Sequence, residues 1–472
     1  MEWWMWFSII IGAFLILLAI GLPVFLSFMV VNVVIIYIIW GGGAGMAQFV
    51  HSIFSSISTF VLLPVPLFII MGEILVFSGA FVKAVDVLDL WMGQVRGRLC
   101  IIAIAAATIF SCISGSSIAC TAMLGSLMLP DMLRRGYHKS LAVGSCMSGS
   151  MDMIIPPSAL AVILASLADM SVGKLLISGL LPGFLIACLY AGYILIRCKV
   201  QPHLAPPYEP KRVPFSEKIV LTIKYVMPFF VIIFIVLGLI LLGITTPTES
   251  AAIGTVLSFI LVALYRKLTW NVTVETIKGS LQITVMMFMI LTGATAFGQI
   301  LAYTGASQGL LKFVLGFNLP PYAILFVMML ILLFMGMLME QVAIMMVTIP
   351  IFMPIVRALE WDPIWFGLLF LVNMSVGMKS PPFGLCLFVM QGIVPKDITS
   401  MDVYKSVIPF IVLDLLAIII IILIPQIATI LPNLMVHQER GGMMQVQRLG
   451  HSMFRIVSDE GKVIVEVLPK DF

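Results

Sequence analysis

The chain has 472 residues, 61% of them hydrophobic and 10% charged, with a mean hydropathy of +1.17 and a formal net charge of +4. A soluble domain carries about a quarter charged residues, so a globular fold clothed in polar groups is excluded. The basic residues sit in short loops between apolar runs, which excludes nucleic acid as a partner and leaves an all-α polytopic protein in contact with membrane lipid.

The first apolar run, Phe7–Ile20, has no cationic stretch before it and no small-residue cleavage site after it, so it reads as a retained span. Residues 1–98 are expected to hold the N-terminal scaffold spans. The cysteines form no CxxC pair and lie in or beside apolar segments, where they read as small packing residues.

Basic loops at Arg96–Arg98, Arg134–Lys139, Arg197–Lys218 and Arg266–Lys267 mark the cytoplasmic side. The apolar stretch Leu99–Leu133 has a basic loop at each end, which a single crossing does not permit. Its centre, Ser111-Cys112-Ile113-Ser114-Gly115-Ser116-Ser117, is small and polar, so the stretch is expected to turn back there. Arms of about 13–16 residues reach ~20–24 Å, short of the ~30 Å hydrocarbon core. A re-entrant hairpin follows, entering from the cytoplasm. The next span, Leu141–Leu167, contains Pro156-Pro157 and is expected to break near the bilayer centre. With Gly179–Ile196 it completes a first repeat over residues 99–196.

Residues 197–321 are expected to supply linking scaffold spans: Val226–Leu242, Ala251–Leu264 and Gly279–Leu301. The pattern then recurs over residues 322–431. The stretch Tyr322–Val356 is interrupted at Met335–Gln341, and the span after it breaks at Asn373–Pro382. Pro182 and Pro409 open the following span in each half. Counting the broken span, five spans separate the hairpins, so the second enters from the opposite face. Inverted repeats with paired interrupted segments are a transporter signature, and the interruptions point to the binding site. The tail, 432–472, is mixed polar and charged and lies outside the repeat, with an expected location outside the cytoplasm.

Freed carbonyls and hydroxyls suit a hard cation, whereas half-helix N-termini suit an anion. One cation site is expected at Ser114, Gly115, Ser116 and Ser117, facing Ser148, Gly149 and Asp152. A second is expected at Gly336, Glu340 and Gln341, facing Ser375, Gly377 and Ser380. A carboxylate is expected between them, at Ser116, Ser158, Lys379 and the backbone around Pro156, Pro157, Pro381 and Pro382. Lys379 either contacts that carboxylate or pairs with an acidic neighbour, since intramembrane charges are costly and need a partner. Glu249, at the start of a span, reads as a helix cap.

At these residues the sequence resembles the large membrane (M, DctM-like) subunit of tripartite ATP-independent periplasmic (TRAP) transporters. The resemblance runs from about Trp3 to Leu431. It rests on Ser114–Ser117, Pro130-Asp131-Met132 with Arg135-Gly136-Tyr137, Ile155–Ser158, Thr246–Glu249 with Ala251-Ala252, and Pro381–Gly384 ahead of Leu387–Val389. It implies an elevator-type fold in the bacterial inner membrane, with a static scaffold and a mobile transport domain. It also implies Na⁺ as coupling ion and only metal, no organic cofactor, a small four-helix membrane subunit, and a periplasmic substrate-binding protein. Asp152 and Lys379 depart from the neutral residues more common in the family, and Glu340-Gln341 replaces an Asp-Pro-Thr-like tip. The function expected is import of a small carboxylate (a C4-dicarboxylate, 2-oxoacid or sugar acid). The alternative is a stand-alone Na⁺/carboxylate symporter that needs no binding protein. A serine hydrolase using Ser116 lacks a nearby general base, and no GxxxxGK[ST] loop supports ATP hydrolysis by this chain.

Overall fold

The computed structural model describes residues 2–435 except 94, 115, 207–212 and 318, and the backbone of 445–448, 454–457 and 463–467; the side chains of 44, 112–114, 150 and 152 lie outside the described residues. Among the described residues, seven helices are long and apolar enough to cross a bilayer, and up to eight if the bent pair Phe215–Tyr225 and Met227–Leu241 is one span. The bend of 44° falls just ahead of Pro228, whose ring and missing N–H interrupt the helical ladder.

The linking spans stand close to where the apolar runs put them, at Met227–Leu241, Pro247–Leu264 and Trp270–Tyr303. The last has 34 residues, starting earlier than its apolar core because Thr269 caps it by accepting from the Val272 amide. Glu249 forms a capping box with Thr246: each side chain accepts from the other residue's amide, at 2.8 and 3.3 Å. The capping reading of Glu249 is correct.

The basic loops share one face. The His138 amide donates to the Leu204 carbonyl at 2.9 Å, Trp91 Nε1 to Thr222 Oγ1 at 2.7 Å, and Lys267 Nζ to the Gly79 carbonyl at 2.9 Å. Tyr265 donates to the Lys224 carbonyl on the same side.

The first hairpin comprises Arg98–Ser114 and Ser117–Leu127, extended by Leu129–Arg134. The second comprises Pro321–Leu338 and Gln341–Ala358, with arms of 18 residues each; in the first the entering arm has 17 residues and the return arm 11. The first broken segment runs as Lys139–Cys146, tightens into a 3-10 turn at Met147–Met153, loses helix at Pro156-Pro157 and resumes at Ala159–Leu167. The second runs as Pro363–Lys379 and resumes at Leu385–Ile393 after Pro381-Pro382. Each double proline carries a cis bond.

Contacts across these elements come in mirrored pairs. Ser117–Leu127 of the first hairpin packs on Leu385–Ile393 of the second broken segment, and Gln341–Ala358 of the second hairpin packs on Ala159–Leu167 of the first. Lys139–Cys146 packs on Ser400–Leu423, and Pro363–Lys379 on Val172–Ser178. The two breaks also touch each other, Pro363–Lys379 against Met147–Met153.

The tail adds three short antiparallel strands, Gln445–Arg448, Phe454–Val457 and Val463–Val467. They qualify the all-α expectation, which holds for the membrane-embedded helices.

One contact behind the first break has no tolerance. A Cβ on Gly179 would lie 1.8 Å from the Ile154 carbonyl oxygen, which is backbone and cannot swing away. Gly179→Ala is therefore expected to cost about 3 kcal/mol or more through overpacking, read as a lowered midpoint of thermal unfolding in detergent. A midpoint within a degree of the parent contradicts this packing.

Candidate functional site

The two hairpin tips meet. Gln341 Nε2, at the start of the second tip's return arm, donates to Ser117 Oγ of the first tip at 3.4 Å, and both residues are buried. Half-helices begin at Ser117 and Gln341, at this contact, and two more begin after the double prolines, at Ala159 and Leu385. Each leaves backbone amides without intrahelical partners. Ser116 accepts from the Ala119 amide at 3.3 Å, and Ser158 from the Ala161 amide at 3.3 Å. Glu340 accepts from Val342 and Ala343 amides at 3.0 and 3.4 Å. Glu340 thus occupies the capping position that Ser116 holds in the other tip. Its carboxylate is committed to the start of its own helix, whatever cation site forms beside it.

The first junction joins hairpin and broken segment through Ser111 Oγ, which donates to the Gly149 carbonyl at 3.3 Å. Gly149 sits so close to the hairpin that a Cβ there would lie 2.5 Å from Cys120 Sγ. Ser148 Oγ is buried and donates to the Ser145 carbonyl at 2.7 Å. Ser114 ends the helix Arg98–Ser114. Its side chain, that of Asp152, and all of Gly115 lie outside the described residues, so their part in the junction is not placed. Thr121 was missed by the sequence reading: its hydroxyl is fully buried with no hydrogen-bond partner among the described residues. A threonine inside an apolar arm gives no signal until its neighbours are known.

At the second junction Gly336 and Gly377 touch backbone to backbone; a Cβ on Gly377 would lie 2.7 Å from Gly336 Cα. Ser375 is buried, and Ser380 Oγ donates to the Val376 carbonyl at 2.8 Å. Asn373 Nδ2 ties the same helix to the hairpin by donating to the Met329 carbonyl at 2.6 Å.

Lys379 reaches partners on two other helices, Tyr190 and Asp414. It is 0% exposed, with Nζ 2.6 Å from Asp414 Oδ2 and donating to Tyr190 Oη at 2.7 Å. Tyr190 Oη donates in turn to Asp414 Oδ1 at 2.5 Å, closing a triangle. The Lys379–Asp414 contact is a buried ion pair. Of the two roles expected for Lys379, the acidic pairing is the one seen among the described residues, with Asp414.

On the face opposite the basic loops lies a cavity of about 910 Å³. Ser55, Thr59, Thr295 and Gln299 line one wall; Met346, Pro350 and Pro354 of the second hairpin line the other.

Residues 11–427 match the family described as Tripartite ATP-independent periplasmic transporter, DctM component. The chain is similar to the C4-dicarboxylate TRAP transporter large permease protein DctM of Pseudomonas aeruginosa, 32% identical over 383 residues that cover 81% of this chain and 88% of that one. It is similar to the sialic acid TRAP transporter large permease protein SiaM of Vibrio cholerae, 28% identical over 425 residues that cover 89% and 96%. The crystal structure of the Alcanivorax borkumensis YdaH transporter matches with a TM-score of 0.59 at 13% identity, covering 83% of this chain and 89% of that one. At that identity the likeness is one of fold alone.

Proposed function

Because the chain belongs to the DctM component family of tripartite ATP-independent periplasmic transporters, we propose that it is the large permease subunit of a Na⁺-driven importer of a small carboxylate. It is an integral, multi-pass membrane protein, and its relatives are permease subunits of transporters. The family implies a periplasmic binding protein that delivers the substrate and, usually, a small membrane subunit. The basic face is the cytoplasmic one.

The mirrored packing of hairpins and broken segments supports an inverted-topology repeat, with the hairpins and broken helices moving as a transport domain against the long scaffold helices. The observation that carries the reading is the buried Gln341–Ser117 contact, which brings together the starts of the two hairpins' return arms. Amide-rich ends of this kind suit a carboxylate, and the serine hydroxyls and freed carbonyls at the breaks suit Na⁺. Ser116, Ser117, Ser148 and Gly149, with Thr121 added, form the first cation site in this reading; Gly336, Gln341, Ser375, Gly377 and Ser380 form the second. The substrate lies between them, near Ser158 and the two double prolines. Both relatives named above carry carboxylate-bearing substrates by name, which supports the substrate class.

The test is uptake of labelled C4-dicarboxylates, 2-oxoacids and sugar acids into proteoliposomes holding this chain and its small partner. Uptake is expected to need an inward Na⁺ gradient and the cognate binding protein. Uptake by this chain alone identifies a stand-alone symporter, and uptake indifferent to Na⁺ removes both cation sites.

A further inference from the structure

The 910 Å³ cavity has walls of unlike character and one charged corner. Its hydroxyl- and amide-bearing wall comes from the scaffold side, near residues 55–59 and 295–308. The wall from the second hairpin is apolar until Arg357, in that arm's last turn. Among the described residues lining the cavity, Arg357 alone carries a positive charge. Its Nη2 donates to the Ala168 carbonyl at 3.3 Å and stands 3.6 Å from Asp169 Oδ2. The two side chains are 58% and 84% exposed, so this is a loose, solvated pair worth little to the fold.

Asp169 is not there for the backbone. It follows the end of Ala159–Leu167 with φ +52, a left-handed position where glycine is the favoured residue. An aspartate at that place costs conformational energy and supplies one thing glycine cannot, a carboxylate beside Arg357. The guanidinium fork is matched to carboxylates and stays charged at every physiological pH.

We propose that this cavity is an outer vestibule that recruits carboxylate anions, with Arg357 as the first side chain the substrate meets and Asp169 as the internal carboxylate it displaces. The proposal rests on the carboxylate-import reading for its biological substrate, but its physical content is a solvent-exposed guanidinium whose internal carboxylate is loosely held. An arriving carboxylate takes the place of Asp169 on a fork already aimed into the cavity. The apolar hairpin wall offers it no hydrogen bonds, whereas the hydroxyls and amides of the opposite wall do.

The test measures the field seen by an anion without needing the substrate's identity. Thr295→Cys places a thiol in the cavity wall, in a background where the exposed Cys188 is replaced by Ser. The probes are two methanethiosulfonate reagents of similar size, the anionic sulfonatoethyl and the cationic trimethylammonioethyl forms. Their labelling-rate ratio, anionic over cationic, is expected to fall about tenfold on adding Arg357→Gln and to rise about threefold on adding Asp169→Asn. A ratio that neither change moves overturns the proposal, as does an introduced thiol at position 295 that reacts with neither reagent. Because labelling is read on the resting protein, that failure is separate from failure of Na⁺-driven uptake, which would overturn the import reading.

Discussion

Lys379→Met is expected to destabilise the protein by about 3–5 kcal/mol, because it leaves the Asp414 carboxylate buried without its counter-ion. The geometry makes the loss specific. Asp414 is 2% exposed and Tyr190 is fully enclosed, so water cannot replace the ammonium. Asp414→Ala alone is expected to do comparable harm by stranding Lys379. Removing both charges should restore most of the loss, since a buried ion pair exchanged for apolar residues is often neutral or better. The other half of the chain indicates which residues to use. Aligning Pro156-Pro157 with Pro381-Pro382 sets Ile154 opposite Lys379, and aligning Pro182 with Pro409 sets Ala187 opposite Asp414. The double variant Lys379→Ile, Asp414→Ala copies the first half into the second. Thermal unfolding in detergent of the parent, Lys379→Ile, Asp414→Ala and the double variant closes a double-mutant cycle that measures the coupling. Lys379→Met as stable as the parent would sink this account. A stable double variant that selectively loses substrate affinity would give Lys379 a contact with substrate that the triangle does not provide.

Gly377→Ala is expected to abolish uptake and to cost about 3 kcal/mol. Its new methyl would sit 2.7 Å from Gly336 Cα and 3.0 Å from Gly336 C. Both are backbone atoms, so relief requires the second hairpin to part from the broken helix it serves, which opens the second junction. Gly392→Ala is the control: a Cβ there meets nothing within 4 Å, in a helix where Ala is preferred by roughly 0.5–1 kcal/mol. Normal uptake by Gly377→Ala would mean that the two glycines do not approach this closely in the working protein.

The interrupted segments were legible because a proline removes a helix donor and a small polar cluster gains nothing from hydrocarbon, so either one inside an apolar run marks a break. Ser111–Ser117, Pro156-Pro157 and Pro381-Pro382 all mark real ends of helix. The partners across the fold were not legible, because they depend on which helix faces which. Asp414 lies 35 residues beyond Lys379, inside the run Val407–Ile424. Its one available signal was being a lone acid in a segment otherwise apolar enough to span. Tyr190 gave no signal, since an aromatic in a membrane helix is ordinary. Glu340 was legible as an ionisable residue at a tip, but its capping role follows from the local turn.

If the hairpins and broken helices move as the transport domain proposed above, the neutrality of the Lys379–Asp414 pair has an electrical consequence. Moving one elementary charge through a membrane potential of 100 mV exchanges about 2.3 kcal/mol. The two charges lie 2.6 Å apart and move together, so their contributions cancel and this pair adds no gating charge to the carrier. The voltage then acts on the passengers rather than on this buried lysine. A variant that kept Lys379 but lost Asp414 would carry an uncompensated positive charge, so its empty return stroke would gain the voltage dependence of one added elementary charge relative to the parent.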